Sequence, residues 1–240
     1  MGEYTEFSKD LSNHPLLNRK RRVMLLAGHY GSGKTNIALN MAYGLKDLGK
    51  SVTVADLDIV NPYYRLKDSE KELSSRGIDM ISSSFANSNV DLPSLPQELY
   101  RIVDDTGRCF VVDVGGDDRG AYALGRFSGR LKEENSYDML LVVNCYRPLS
   151  GDGKNTLEIK EEIEAAGHVN FTAVINNSNL GVDTTPEDIR TSREYAEEIA
   201  SLTGLPLLAT TVRSDLYCEI KDEIDNAFPL CLSEARMWQI

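Results

Sequence analysis

Gly28-His29-Tyr30-Gly31-Ser32-Gly33-Lys34-Thr35 matches the pattern G-x-x-x-x-G-K-S/T in full, directly after the apolar run Val23-Met24-Leu25-Leu26-Ala27. This is the pattern of a phosphate-binding loop. Its glycines let the backbone curl until successive N–H groups point at one anion, and the helix that follows adds its positive end. Lys34 is placed to reach the outer phosphates, and the Thr35 hydroxyl can ligate Mg²⁺. Gly28, Gly31, Ser32, Gly33, Lys34, Thr35 and Asn36 are therefore the candidate phosphate contacts. A strand before the loop and an amphipathic helix after it are the context the motif needs; a vestigial loop kept for structure is the competing reading.

Working outward, Ile37, Met41, Leu45 and Leu48 recur at helical spacing and Gly49 supplies a stop, so a helix is expected from the loop to about Lys46. Further apolar or β-branched runs fall at Val52–Leu57, Ile78–Ile81, Phe110–Val114, Met139–Val143, Phe171–Ile175 and Leu205–Ala209. Segments of helical spacing separate them. Pro186 opens a helix over Glu187–Leu202 that Gly204 ends, and Gly167 closes one beginning near Lys154. Strands alternating with helices predict an α/β fold, a three-layer, doubly wound and mostly parallel sheet of about seven strands. The expected organisation is an N-terminal arm over 1–20, lying on the domain or loose, and a single nucleotide-binding domain over 21–240.

In such a sheet, ligands sit outside the carboxyl ends of the strands, so residues just after each run converge on the loop. Asp56 and Asp58 follow the second run, and Asp113-Val114-Gly115-Gly116 follows the fourth. Carboxylates beside a triphosphate make chemical sense when a divalent metal and a water accept them. Asp113 is the candidate to hold Mg²⁺ opposite Thr35. Gly116 lies in a D-x-x-G form whose glycine amide can sense a terminal phosphate, with a plain turn as the alternative. Asp56 or Asp58 can orient an attacking water, or cap the next turn.

Thirty-seven acidic against 26 basic residues give a formal charge of −11. That charge disfavours broad contact with nucleic acid or anionic lipid. The one basic cluster, Arg19-Lys20-Arg21-Arg22, leads into the first strand. No run has the length of a membrane span and the first ten residues carry Glu3, Glu6 and Asp10, so a cytoplasmic protein with no membrane partner is expected. Cys109, Cys145, Cys218 and Cys231 form no C-x-x-C pair, which points away from a disulfide framework or metal clip.

Together these motifs resemble the MinD/ParA-type ATPases, relatives of the nitrogenase iron protein and dethiobiotin synthetase among the P-loop NTPases, from about Val23 onward. The resemblance implies that Asp58 orients water and contacts metal, that Asp113 binds metal, and that Asn176, with Asn177, reads adenine at the end of a late strand. An asparagine amide offers donor and acceptor together, as the adenine edge requires. Asn176-Asn177-Ser178-Asn179 also lacks the carboxylate of the N-K-x-D pattern that recognises guanine, which favours ATP over GTP. The family's second loop lysine, which reaches across a dimer to the partner's nucleotide, is His29 here, so a homodimer is left open. Arg119, Arg126 and Arg130 are spaced to share one helical face, suited to an anionic substrate or to solvent. Arg147, after the fifth strand, can add to a basic lining.

The expectation is a slow Mg²⁺-dependent ATPase, with Lys34 and Asp58 catalytic, whose ATP and ADP states present different surfaces to a protein partner. Two alternatives remain open: an ATP-dependent small-molecule phosphotransfer or ligase enzyme of the dethiobiotin-synthetase type, and a regulatory module that binds nucleotide without hydrolysis.

Overall fold

The computed structural model describes residues 11–57, 66–82, 97–116, 118–148 and 152–231. Among these residues, eight strands form one sheet, every neighbouring pair parallel, in the order β3-β2-β4-β1-β5-β6-β7-β8. They are β1 Val23–Ala27, β2 Val52–Leu57, β3 Asp79–Ser82, β4 Cys109–Val114, β5 Tyr137–Val143, β6 Ala173–Asn176, β7 Leu207–Arg213 and β8 Ala227–Leu230. The helices are α1 Lys34–Asp47, α2 Glu70–Ser75, α3 Arg101–Asp104, α4 Asp118–Gly125, α5 Ser128–Glu133, α6 Gly153–Gly167, α7 Pro186–Thr203 and α8 Ser214–Ile220.

The central strands are apolar throughout because helices cover both faces of the sheet. Alternation divides their side chains between two cores. Met24 and Leu26 of β1 join Val54, Val111 and the Ile37, Met41 and Leu45 stripe of α1 on one face. Val23, Leu25 and Ala27 join Val112, Leu124 of α4, Leu131 of α5 and Ile163 of α6 on the other. Leu11, Leu16 and Leu17, ahead of β1, are buried in the first core. Arg19 and Arg21 fasten the same stretch to Asp138 near the start of β5: Arg19 donates from Nε and Nη2 at 2.7 and 2.6 Å, and Arg21 from Nη1 at 2.9 Å. The basic cluster is thus partly neutralised.

Helix ends follow local chemistry. Thr185 and Asp188 form a reciprocal capping box ahead of Pro186, and Asp152 caps α6 through the Lys154 and Asn155 amides. Here the structure shifts one expected detail. Gly167 stays helical, and His168 takes the left-handed turn at φ 52°.

The eighth strand has no counterpart in the sequence expectation of about seven. It is four residues long and contains Pro229, which an edge strand tolerates because one side of its backbone makes no ladder bonds. Asn40 of α1 ties the end of this strand down, accepting from the Cys231 amide at 2.8 Å and donating to the Cys231 carbonyl at 3.2 Å. None of the four cysteines forms a disulfide. No described helix is long and apolar enough to cross a membrane.

Candidate functional site

The strand register places the site. Across β1, β4 and β2, Leu26, Asp113 and Asp56 are registered partners, and registered residues of parallel strands point to the same face. That face is the one covered by α1. Two carboxylates therefore continue the apolar rows of the α1-side core at the carboxyl edge, where α1 begins. Thr35, in the first turn of α1, donates its hydroxyl to Asp113 Oδ2 at 2.5 Å. Asp113 is 1% exposed and Asp56 6%.

The loop arches from β1 into α1 between two neighbouring strand ends. Gly28, at φ 145°, passes so close to β5 that a Cβ would collide with the Val142 carbonyl. Gly116, after β4, abuts the loop from the other side. A Cβ there would stand 2.7 Å from the Tyr30 nitrogen and 3.1 Å from the Gly28 carbonyl oxygen. Lys34 is 5% exposed and folds back along the loop, its Nζ donating to the Gly28 and His29 carbonyls at 3.1 and 3.2 Å. Ser32 is fully buried, and its hydroxyl has no hydrogen-bond partner among the described residues. A buried hydroxyl of this kind is costly unless a further group satisfies it. A glycine-walled loop, an orphaned hydroxyl and a Thr–Asp pair of hard oxygen donors fit a phosphate chain with Mg²⁺.

Asn176 ends β6 and Asn177 follows it, and both are enclosed. Asn176 donates to Ser192 Oγ at 2.9 Å and accepts from the Ser178 amide at 3.1 Å. Asn177 donates to the Ser32 carbonyl at 2.6 Å and accepts from Thr211 Oγ1 at 2.5 Å. Asn177 thus braces the phosphate loop against β7. A small cleft opens just outside, lined by Asn36, Asn177, Ser178, Asn179, Thr184 and Arg213 among others. Asn179 and Arg213 in this wall had no assigned part in the sequence reading; the only signal was their position after β6 and at the end of β7.

Other expected site residues are distributed differently. Asp58 lies outside the described residues, as does the Arg119 side chain. The helix expected to carry Arg119, Arg126 and Arg130 breaks at Arg126–Phe127 between α4 and α5, so their spacing no longer sets one face. Arg130 instead pairs with Asp104 at 2.6 Å and donates to the Val103 carbonyl. His29 is half-buried; its Nδ1 lies 3.0 Å from the Tyr30 carbonyl and must be the donor, since a carbonyl only accepts. Among the described residues no three His, Cys, Asp or Glu side chains gather as a metal cluster.

No protein-family model matches the sequence, and neither does any curated protein. Solved structures do match its fold. The cell division protein FtsY from Thermotoga maritima aligns over 85% of this chain and 68% of its own, with 19% identity and a TM-score of 0.55. FtsY from Mycoplasma mycoides aligns over 88% and 67%, with 16% identity and a TM-score of 0.52. The signal recognition particle 54 kDa protein from Aeropyrum pernix K1, solved in complex with GDP, aligns over 86% of this chain but 47% of its own, with 17% identity and a TM-score of 0.52. This chain thus spans about two thirds of the first two proteins and under half of the third. The all-parallel sheet flanked by helices is the fold this chain shares with those structures.

Proposed function

We propose that this chain binds Mg·ATP and hydrolyses it slowly, acting as a nucleotide-dependent switch on a protein partner. The observation that carries the reading is the 2.5 Å contact between Thr35 and Asp113 beneath a complete phosphate loop. Thr35 and Asp113, hard oxygen donors from different elements, would hold Mg²⁺ beside the loop. When bound, Mg²⁺ supplies positive charge to the phosphate oxygens.

The chain's own residues do the rest. Loop amides and the start of α1 bind phosphate, and Lys34 exchanges its two carbonyl partners for phosphate oxygens. Asp58, two residues beyond Asp56, orients the attacking water. Gly116, already against Tyr30, presents its amide to the terminal phosphate, so the segment after β4 registers hydrolysis. The cleft beside Asn179 takes the base. Its described lining holds amides, hydroxyls and Arg213 but no carboxylate to accept from guanine's amino group, which supports adenine.

A non-hydrolysing module is the second reading, favoured by His29 where the resembled ATPases carry a lysine. Single-turnover conversion of radiolabelled ATP, with GTP in parallel and Lys34→Ala as control, separates the two. Lys34-dependent ADP formation supports the ATPase; bound but intact ATP supports the module. Asp58→Ala is expected to spare binding and slow hydrolysis, and turnover equal to wild type would remove Asp58 from its role.

A further inference from the structure

Arg147 stands in the turn after β5, on the side of the phosphate loop opposite Gly116. The side chain is exposed and runs beside Gly31, its Cδ and Nε 3.9 and 4.0 Å from where a Gly31 Cβ would stand. Among the twelve described arginines, all but Arg126 and Arg147 form an ion pair with a described residue. In a chain of formal charge −11, an arginine with no described carboxylate partner beside an anion-binding loop has a ready use.

Its backbone is also fixed in advance. The Cys145 amide donates to Ser178 Oγ at 3.0 Å, the Tyr146 amide to Asn144 Oδ1 at 3.0 Å, and the Arg147 amide to the Asn144 carbonyl at 3.2 Å. The Tyr146 hydroxyl donates to the Asp188 carbonyl at 2.8 Å, which fastens the turn to the start of α7. The guanidinium therefore swings from a rigid base toward the loop, the arrangement in which a cation loses least freedom on meeting phosphate.

Resting on the nucleotide-binding reading above, we propose that Arg147 is the second cation of the phosphate site, contacting the bound polyphosphate from within the same chain. Position 29, a half-buried histidine committed to the Tyr30 carbonyl, then need not supply that charge, nor need a second copy of the chain.

The test is calorimetric binding of Mg·ATP and Mg·GTP to wild type, Lys34→Ala, Arg147→Gln and Arg147→Lys, with thermal unfolding of each protein. Losing a charge-assisted contact to phosphate weakens binding about tenfold to a hundredfold. Arg147→Gln is expected to show that loss for the preferred nucleotide, to unfold at the wild-type temperature, and to have a shallower salt dependence of affinity. Arg147→Lys should recover most of the affinity. If wild type binds in a Lys34-dependent way and Arg147→Gln matches it in affinity and salt dependence, the Arg147 assignment alone falls. If wild type binds neither nucleotide, the site reading falls and takes this assignment with it.

Discussion

Gly116→Ala isolates the contact between the segment after β4 and the phosphate loop. Gly116 is not among the glycines at positive φ, so alanine adopts its backbone conformation without strain and only the added methyl matters. That methyl would meet the Tyr30 nitrogen at 2.7 Å, the Tyr30 Cα at 3.0 Å and the Gly28 oxygen at 3.1 Å. All three are backbone atoms, so no side chain can rotate away, and the segments must separate by several tenths of an ångström. Overpacking of this sort costs about 1–3 kcal/mol. For a chain of this size that lowers the unfolding temperature by about 2–12 °C. Function should suffer in a selective way, since a phosphate-sensing amide must sit within about 0.5 Å of its productive position. ATP affinity is expected to fall about tenfold, the worth of one bond to a charged oxygen, while ADP affinity changes little. Calorimetric titration with both nucleotides reads the difference. A variant with wild-type melting temperature and an unchanged ATP-to-ADP affinity ratio would show that Gly116 neither packs on the loop nor senses the terminal phosphate.

Three other perturbations probe separate parts of the molecule. Thr35→Val keeps the shape of the first α1 turn but removes the hydroxyl, so ATP affinity in Mg²⁺ should drop to the value wild type shows in EDTA; persisting Mg²⁺ dependence would move the metal elsewhere. Asp138→Asn should cost about 3 kcal/mol in urea unfolding, because the buried carboxylate is the common acceptor for Arg19 and Arg21. Burial raises the Asp138 pKa, but its bonds and charge pairing with the two arginines outweigh that and hold it below the usual range. Its contribution is therefore full at neutral pH and disappears as pH falls through the depressed folded value, so wild type and variant should converge only below about pH 4. His14 behaves in the complementary way. Burial lowers its pKa despite bonds to the Asn226 and Ala227 backbone, and its Nδ1 accepts from the Leu16 amide at 3.1 Å. The unfolded chain then binds the proton first, so stability should decline as pH drops below about 6.5, by at most about 1.4 kcal/mol per pH unit. His14→Gln should remove that slope, and an unchanged profile would exclude His14 as its source.

Wherever a strand is buried on both faces, its apolar run made it legible, as with Val23–Ala27 and Phe110–Val114. Edge strands are not under that constraint. β8 is short, is entered through Asn226 at φ 53° and contains a proline, so nothing in its period separates it from a loop. The unbroken helix assumed for Arg119, Arg126 and Arg130 is the other point where sequence and structure differ. Spacing predicts a shared face only along an unbroken helix, and the break at Arg126–Phe127 lets Phe127 turn into the core, where it is 2% exposed. Gly125 and Ser128 stand on either side of that break as the local signals for it, and the Ser128 hydroxyl bridges it by donating to the Gly125 carbonyl at 2.9 Å.

The site divides along the same line. Loop residues are local in sequence, and their spacing specifies their geometry, whereas the groups that brace them come from distant strands and become visible only through register. Asn177 makes the point. As a residue type at a strand end it suits base recognition, but its amide spans the Ser32 carbonyl and the Thr211 hydroxyl, two groups 145 and 34 residues away in the chain. Both ends of that amide are spent inside the protein, so for Asn177 to read a base it would have to give up a contact that shapes the phosphate loop. Asn179, which lines the outer cleft, also has both amide ends engaged, donating to the Asn177 carbonyl at 2.7 Å and accepting from the Gly181 amide at 3.1 Å, but neither bond goes to the phosphate loop. Asn177→Ala is therefore expected to weaken ATP, ADP and inorganic triphosphate alike, because the damage reaches the loop, while Asn179→Ala should weaken nucleotides and leave inorganic triphosphate unaffected. Competition binding against a fluorescent nucleotide measures both, and an Asn177→Ala variant that binds inorganic triphosphate normally would return that residue to base recognition.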